Sequence, residues 1–332
     1  MPNRVRFDGT ARRFYEVWYF IFNDSVTGDG YWIRYTLLNP LDDDPAAGGT
    51  LWFAFTDRDD GGRGVAVKSR FPRESLNVAP GEFRVRIGGA SLEDGRLAGG
   101  FSADGHEIAW DLAYEPGGEP HFYFGESLRR LTEARSSVTV PNPRIELRGT
   151  VTIDGRRAEI ARAIGHQAHH WGVEQSPRWI WAHCCDFEED DRAVLELLSA
   201  RGPAGVTATF VNLYTKDRAV LCSGPRSLLR NRATSGLGYW RFEGTASEGR
   251  IVAEIRVDPA DVRGFVYTAT DYRRSECWNT QVGDCLVRVY EPSGALVRVL
   301  RARGRAAAEI HDSDVARIPY RLWPDATRSA IG

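Results

Sequence analysis

Lysine is almost missing from this chain, because Lys68 and Lys216 are the only two among 332 residues. Arginine supplies the remaining positive charge, and the net charge is only −2. Such a balance gives no field that would attract nucleic acid or an anionic membrane, so neither is an expected partner. A single methionine and a strong preference for arginine over lysine are typical of a GC-rich genome. The arginine content therefore indicates no phosphate site by itself.

Long apolar runs are also missing. No stretch approaches the roughly 18 apolar residues that a membrane span requires, so no stable membrane insertion is expected. The first 13 residues carry four arginines and no apolar core, which is not the pattern of a signal peptide. These features predict a cytoplasmic protein. Length and an apolar content of 42% fit one large domain or two ordinary ones.

Cysteine is scarce, and its number, five, is odd. Reduced thiols are the default for a cytoplasmic protein. Cys277 and Cys285 could meet across a hairpin, although spacing alone does not decide this. Cys184 and Cys185 are neighbours whose side chains would point to opposite faces of a strand.

Several signatures of catalytic chemistry are missing as well. The chain has no Cys-x-x-Cys pair and no His-Glu-x-x-His helix, which argues against a metal site. It has no Gly-x-Ser-x-Gly elbow for a nucleophilic serine. The glycines at 61–64 occupy a hairpin turn and do not open a helix, so they predict no phosphate loop. We expect no metal and no cofactor.

Short alternating segments with turn signals between them fill the first half of the chain. They lie at 14–22, 31–38, 51–55, 64–68, 83–87, 95–101 and 107–114. Regular short strands at this spacing predict an all-β barrel or sandwich. Only 126–134 suggests a short helix.

The second half repeats this strand-rich pattern without an obvious sequence repeat. Strands are predicted at 144–153, 158–164, 193–198, 206–214, 239–246, 250–257, 264–272, 283–290 and 295–301, with a frayed tail after Pro324. We predict two barrels, in an N-terminal domain at 14–174 and a C-terminal domain at 175–324.

A dense group of histidines and tryptophans lies between the two halves, in Gly165-His166-Gln167-Ala168-His169-His170-Trp171-Gly172 and Trp179-Ile180-Trp181-Ala182-His183. In an extended strand His166, Ala168 and His170 share one face, and Gln167, His169 and Trp171 share the other. His166 and His170 would then lie about 13 Å apart, at about 3.3 Å per residue, too far to share a metal ion. The group predicts a pocket of imidazoles and indoles.

At these residues the chain resembles the tandem lipocalin-like family of carotenoid hydratases (hydroxyneurosporene synthases), AttH-type proteins and, more distantly, tocopherol cyclase. Glu16-Val17-Trp18-Tyr19 matches the family's first-strand Glu-Trp-Trp-Tyr at all but one position, and the next strand ends near an arginine, here Arg34. The central signature is matched by Gly165, His169, Trp171, Gly172, Trp179 and Trp181. The resemblance covers most of the chain. It implies two lipocalin-like antiparallel β-barrels in tandem and a site for a large apolar ligand.

The resemblance also implies acid catalysis on an alkene, but Ala168 stands where the hydratases carry their proton-donating aspartate. We therefore predict His169 as the acid and Glu16 as its partner or base. An imidazole whose pKa lies near neutral pH is a capable general acid when indoles surround it. The π faces of those indoles can stabilise a developing carbocation. The predicted ligand-binding residues are Trp18, Arg34, His166, Trp171, Trp179 and Trp181. This interpretation predicts that His169→Ala abolishes turnover and leaves binding measurable.

Two functions remain open. One is a hydratase or cyclase acting on an isoprenoid-like or polyketide-like alkene without a redox cofactor. The other is a non-catalytic carrier of a lipid or isoprenoid, which the alanine at 168 favours. A structural alternative also exists for His169 and Glu16, as a buried hydrogen-bonded pair that locks the first strand to the central one.

Overall fold

A computed structural model describes residues 2–40, 47–60, 63–123, 136–202, 205–322 and 327–328. Within these ranges the chain is almost entirely β-structure. The exceptions are a six-residue helix, α1 (Pro225–Arg230), and short 3-10 turns at Arg73–Ser75, Pro259–Asp261, Val315–Arg317 and Pro319–Leu322. None of the described helices is both long and apolar enough to cross a membrane. The predicted helix at 126–134 lies outside the described residues.

Sheet 1 is antiparallel and contains twelve described strands, with the order β4-β3-β2-β1-β12-β11-β9-β8-β7-β6-β5 and β10 beside β11. The strands are β1 (Phe14–Asp24), β2 (Gly30–Asn39), β3 (Gly48–Thr56), β4 (Gly64–Pro72), β5 (Leu76–Val78), β6 (Arg84–Ile87), β7 (Ala90–Glu93), β8 (Arg96–Ala103), β9 (His106–Tyr114), β10 (His121–Phe122), β11 (Ser136–Ile153) and β12 (Arg156–Gly172).

Sheet 2 contains eleven described strands, with the order β16-β15-β14-β13-β22-β21-β19-β18-β17 and β20 between β21 and β23. The strands are β13 (Arg178–Cys184), β14 (Val194–Arg201), β15 (Thr207–Tyr214), β16 (Ala219–Cys222), β17 (Arg232–Gly236), β18 (Tyr239–Ala246), β19 (Gly249–Arg256), β20 (Arg263–Thr268), β21 (Arg274–Tyr290), β22 (Leu296–Asp312) and β23 (Thr327–Arg328). Among the described strands, β20 and β23 alone pair in parallel.

The two sheets share the topology of their central strands, although sheet 1 continues through five strands beyond the second long strand and sheet 2 through three. Across each sheet, a meander of four strands (β4 to β1 in sheet 1, β16 to β13 in sheet 2) lies beside a long strand, β12 or β22. A second long strand, β11 or β21, lies on the other side of that strand. In both sheets the second long strand pairs with a short strand near its start and with another strand near its end. The halves are therefore a structural repeat, although their sequences show none. This confirms the prediction of two antiparallel barrels in tandem.

Each sheet curls around its own apolar core. In sheet 1 the even-numbered side chains of β1, namely Trp18, Phe20 and Phe22, lie in a core with Ile33, Tyr35 and Phe53. Sheet 2 encloses a second core around Trp240, Phe242 and Trp278. Strand β4 contacts β8 and β16 contacts β18, which brings opposite parts of each sheet together. Side chains thus fill both barrels.

A third apolar cluster lies between the two sheets and joins them. It includes Ile21, Trp32 and Trp52 from sheet 1 with Trp181, Phe265 and Tyr267 from sheet 2. Because of this packing β2 is buried on both faces, whereas β9 alternates between buried and exposed residues. A strand that is covered on both sides loses the alternation by which sequence patterns distinguish inside from outside.

Polar side chains also tie the sheets together. Arg263, which is fully buried, donates to the carbonyls of Phe55 and Arg63, and Asn23 donates to the carbonyl of Gln281 over 2.8 Å. The ammonium of Lys68 donates to the carbonyl of Val266 over 2.6 Å. Each bond satisfies a polar group that packing removes from water.

Several predicted strand limits were wrong. Strand β11 runs through Pro141 and Pro143, where we expected a break, because its register shifts around Asn142 and so accommodates residues without an N–H donor. Strand β22 continues eleven residues beyond the predicted end at 301, to Asp312. The tail after Pro324 is not frayed throughout, since Thr327 and Arg328 pair with β20.

The structure decides the open question of Cys277 and Cys285. Both residues lie on β21, eight positions apart, so they cannot face each other across a hairpin. All five cysteines are buried free thiols. The predicted division near 175 falls between the end of β12 and the start of β13. That each half is an independent domain stays a prediction.

Candidate functional site

A cavity of about 330 Å³ lies between the two sheets and not inside either barrel. Its wall is mostly apolar and aromatic. Sheet 1 contributes Tyr19 and Trp32, and sheet 2 contributes Trp179, Trp181 and Phe210. Pockets of this size and character are typical of sites for small hydrophobic molecules.

The alternation along β12 decides which part of the histidine stretch reaches this cavity. His170 lies on the cavity wall, whereas His169 does not. Ala168 is paired with Tyr19 across β1 and shares the strand face of His170. The side chain that replaces the family's aspartate therefore lies on the strand face that reaches the cavity.

The opposite face of β12 anchors the start of the chain. The amide of Gln167 exchanges two hydrogen bonds with Asn3, at 2.9 and 3.0 Å. Trp18 stacks on His169 with ring centroids 4.9 Å apart, and the guanidinium of Arg6 lies 4.5 Å from the centre of Trp171. These contacts hold the N-terminal segment against β12.

His169 and Glu16 form a fully buried pair within this anchor. Nε2 of His169 lies 2.8 Å from Oε1 of Glu16, and its Nδ1 lies 2.8 Å from the carbonyl oxygen of Pro2. The carboxylate also accepts the backbone N–H groups of Arg6 and Phe7. Because both ring nitrogens lie within hydrogen-bond distance of oxygen atoms, the hydrogen-bonding capacity of the pair is used within the fold.

The predicted catalytic pair is thus brought together, but away from the cavity. Its geometry is that of the structural alternative, in which the pair locks β1 to β12 and holds the N-terminal segment. Among the predicted ligand-binding residues, Arg34, Trp179 and Trp181 line the cavity. Trp18 and Trp171 pack around His169, and His166 lies behind Tyr19 and Trp181. A catalytic role for His169 and Glu16 stays a prediction.

Two carboxyl groups on the cavity wall, Glu174 and Glu309, were missed by the sequence analysis, and Glu309 is the one on a strand of sheet 2. It lies on β22, and one of its oxygens accepts the indole N–H of Trp179. Desolvation raises the pKa of Glu309 above its usual value, although the Trp179 hydrogen bond and the charge of Arg34 act in the opposite direction. A carboxyl group in such surroundings retains its proton to higher pH and can act as an acid.

His170 provides an imidazole on the same wall. Its Nε2 lies 2.7 Å from the Tyr15 hydroxyl and 3.0 Å from the Ser136 hydroxyl. Burial, reinforced by the positive charge of Arg34, lowers the pKa of His170 to about 3. The ring is therefore neutral near pH 7, and its Nε2 lies within hydrogen-bond distance of both hydroxyl groups.

Arg34 adds a cation to the wall. Its Nε donates to Thr36 over 3.0 Å, and its Nη1 donates to the Tyr267 hydroxyl of the other sheet over 2.5 Å. The guanidinium also lies 5.0 Å from the centre of Trp52. These contacts fix its position at the junction of the sheets.

A second buried carboxylate lies behind the wall. Glu196 accepts the Tyr123 hydroxyl over 2.8 Å, and Tyr123 in turn accepts the indole N–H of Trp181. Burial opposes the ionisation of Glu196, but His183 and His121, at 3.3 and 3.4 Å, outweigh it and hold its pKa well below its usual range. Glu196 is thus ionised near neutral pH, whereas the pKa of Glu309 is raised above its usual value.

Sequence signals for the missed residues existed but were weak. Ala307, Glu309 and His311 alternate on β22, and a lone carboxylate between alanine and histidine on one strand face is unusual. The predicted strand ended at 301, so this face was not considered. Within the described residues, no group of three histidine, cysteine or acidic side chains is arranged to hold a metal ion.

The fold defines a class of protein, the tandem lipocalin-like barrels, in which the two sheets pack face to face over a shared cavity. No family model matches the chain. The uncharacterised protein Rv0493c of Mycobacterium tuberculosis is 26% identical over 288 residues, which cover 84% of this chain and 82% of that protein.

Three solved structures share the fold. CghA in complex with Sch210972 superposes with a TM-score of 0.58 at 12% identity, covering 91% of this chain and 89% of CghA. Kievitone hydratase of Nectria haematococca gives 0.55 at 11% identity, covering 90% of each chain. The AttH-like protein of Nitrosomonas europaea gives 0.51 at 14% identity, covering 90% of this chain and 92% of that one. The fold implied by the family resemblance is confirmed.

Proposed function

We propose that this protein binds a hydrophobic, unsaturated small molecule between its sheets and catalyses a proton-initiated reaction on an alkene, as a hydro-lyase or cyclase without a redox cofactor. One observation carries the proposal: a desolvated carboxyl group, Glu309, lies on the wall of an aromatic cavity. The kievitone hydratase and CghA folds support it. The substrate class is isoprenoid-like or polyketide-like.

The first step transfers the proton of Glu309 to one carbon of the double bond, with the π electrons forming the new C–H bond. The adjacent carbon becomes cationic. The indole faces of Trp179 and Trp181 and the ring of Tyr19, all on the wall, stabilise that charge. Because the cavity is largely apolar, these electrostatic contacts are stronger than they would be in water.

The second step consumes the cation in one of two ways. A water molecule attacks it and passes a proton to the Glu309 carboxylate, which completes hydration. Alternatively, a second double bond of the substrate attacks it and closes a ring, and loss of a proton to the carboxylate restores the alkene. In both cases the returning proton restores the acid form of Glu309 for the next turnover.

The test combines a substrate panel with two variants. Wild-type protein is incubated with polyene isoprenoids and unsaturated polyketides in deuterated water, and products are followed by mass spectrometry for gain of water or for isomers that carry deuterium. We expect Glu309→Gln to lose at least about 100-fold in turnover, as for a general acid, with binding retained. His169→Ala, the change that the family resemblance singles out, should retain turnover if it folds. Glu159→Gln on the exposed face of β12 is the matched carboxylate control.

Undiminished turnover in Glu309→Gln would contradict the assignment of the acid. Loss of turnover only in His169→Ala would return the catalytic role to the buried pair. A carrier function is the second candidate, and the buried alanine at 168 favours it. Tight binding by the wild type with no conversion of any compound in the panel supports the carrier.

A further inference from the structure

Arg34 is a buried cation that forms no ion pair with a carboxylate of the described residues, although its charge acts on Glu309 across the same cavity wall. Its side chain is 7% exposed and lies on the cavity wall. Among the described residues no carboxylate lies within 4.0 Å of its guanidinium, which hydrogen-bonds two neutral hydroxyl groups instead. Buried charges are normally paired because removal of an ion from water is costly. This one is unpaired at the edge of a cavity.

The hydrogen bonds leave part of the guanidinium available. Those to Thr36 and Tyr267 use two of its five N–H donors, and the described residues supply no acceptor for Nη2. The aromatic rings of Trp52, Tyr267 and Trp32 lie 5.0, 4.5 and 5.8 Å from the guanidinium carbon. Aromatic neighbours cannot neutralise the charge, but they fix the orientation of the guanidinium plane to which a ligand would bind.

A comparison with Lys68 shows what is specific to this position. Lys68 is also buried against Trp52, 4.8 Å from the ring centre, and donates to the carbonyl of Val266. Burial lowers its pKa to about 8, so it can shed its charge. Arginine cannot do so near neutral pH. Lys68 does not line the cavity, and Arg34 does.

We propose that the natural ligand is an amphipathic acid, with one anionic oxygen group bound to Arg34 and an apolar unsaturated body against the aromatic wall. The proposal rests on the cavity of the proposed function and narrows its substrate class. A planar guanidinium suits a carboxylate or an enolate, because it can donate two parallel hydrogen bonds to adjacent oxygens. The apolar side chains of the wall suit the remainder of such a molecule.

An anion at this position would also assist the acid. The positive charge of Arg34 favours the ionised form of Glu309. A ligand anion that neutralises Arg34 removes this influence, so the Glu309 proton is retained while the substrate is bound. Binding of the acid and readiness for proton transfer are then coupled.

The experiment measures binding and not turnover. cis-Parinaric acid, a fluorescent tetraene carboxylic acid, and its methyl ester are titrated at neutral pH into wild type, Arg34→Gln, Arg34→Lys and Lys68→Met. We expect the acid to bind wild type at least tenfold more tightly than the ester. Arg34→Gln should abolish this ratio by weakening the acid alone, and Lys68→Met should preserve it. Arg34→Lys keeps the positive charge, so it should still bind the acid more tightly than the ester, by a smaller factor than wild type. This variant tests the inference if Arg34→Gln does not fold.

Equal affinity of the acid and the ester for wild type overturns the inference, as does failure of both to bind. An acid preference that survives in Arg34→Gln overturns it too. The outcome is separate from that of the proposed function. If the protein prefers the acid but converts no substrate, the acidic ligand is supported and the enzymatic function is contradicted. If it converts neutral alkenes but shows no preference for the acid, the enzymatic function is supported and the acidic ligand is contradicted.

Discussion

The indole N–H of Trp179 donates a hydrogen bond to Glu309, and both side chains lie on the wall of the cavity between the sheets. The donor comes from the first strand of sheet 2 and the acceptor from the strand beside it. This contact favours the ionised carboxylate, whereas desolvation favours the protonated acid. The pair therefore sets the pH range in which Glu309 can donate a proton.

Replacement of Trp179 by phenylalanine should move the alkaline limit of activity to higher pH. The variant loses the N–H group that lowers the pKa of Glu309, so the acid form persists further as pH rises. The measurement is the pH profile of kcat in wild type and Trp179→Phe. Trp181→Phe is the matched control, because its indole donates to Tyr123. A limit that shifts equally in both variants, or in neither, would show that Glu309 is not the titrating acid.

Glu16→Ala should destabilise the fold strongly. The change removes the acceptor for His169 and for two backbone N–H groups, all inside the protein. Loss of one partner of a buried ion pair costs about 3–5 kcal/mol in free energy of unfolding. Urea denaturation measures it. Glu159→Ala, which breaks an exposed pair with Arg157, should leave the free energy nearly unchanged. Similar losses in both variants would refute the anchoring role of Glu16.

Stability should fall as pH drops below 6.5, because buried histidines are held neutral. Burial lowers the pKa of His311 to about 3 from 6.5, and that of His166 and His170 also falls. Between these values the unfolded chain binds more protons than the folded one, so acid favours unfolding. Glu196, whose pKa is lowered from 4.5, contributes in the same direction only at lower pH.

His311→Phe isolates one of these contributions. His311 stacks on Trp179, with ring centroids 3.6 Å apart, and a phenyl ring can keep that contact without titrating. We expect the difference in unfolding free energy between pH 7 and pH 5 to shrink by about 2 kcal/mol relative to wild type. Urea titrations at both pH values test this. An unchanged difference would mean that His311 titrates normally in the folded protein.

Gly30→Ala should disturb the packing between the sheets. A Cβ at Gly30 would lie 2.7 Å from both Gln281 and Val282 of β21, closer than side-chain atoms pack. We expect a loss of about 1–3 kcal/mol, as for other overpacked sites, and weaker binding of cavity ligands. Gly236→Ala, with nothing near its Cβ and no unusual backbone angle, is the control. Equal stability of the two variants would contradict tight contact between the sheets.

The sequence was sufficient for the fold class. Alternating apolar residues and regular turns predicted an all-β chain, and the short motifs around Glu16 and His169 pointed to the tandem-barrel fold. These signals are local, since alternation and turn chemistry depend on neighbouring residues. The pairing of His169 with Glu16 was also anticipated, because a buried carboxylate needs a partner.

The sequence could not place the cavity. Most of the second half of β12, like β1 and β2, is buried on both faces, so the pattern gives two equivalent sides and no rule for choosing between them. The family motif favoured the face of β12 that carries His169, whereas the face that carries His170 lines the cavity. Glu309 lies 139 positions further along the chain, and only the packing of one sheet on the other brings both to one cavity.

By itself, then, the sequence determined that the chain is built of strands and which side chains share a face within each, because these depend on a repeat of two residues. The tertiary structure decided which face meets the partner sheet, where the acid lies and that a buried arginine forms no ion pair within the described part of the chain. Those properties arise from contacts between residues far apart in the chain, and no local pattern encodes them.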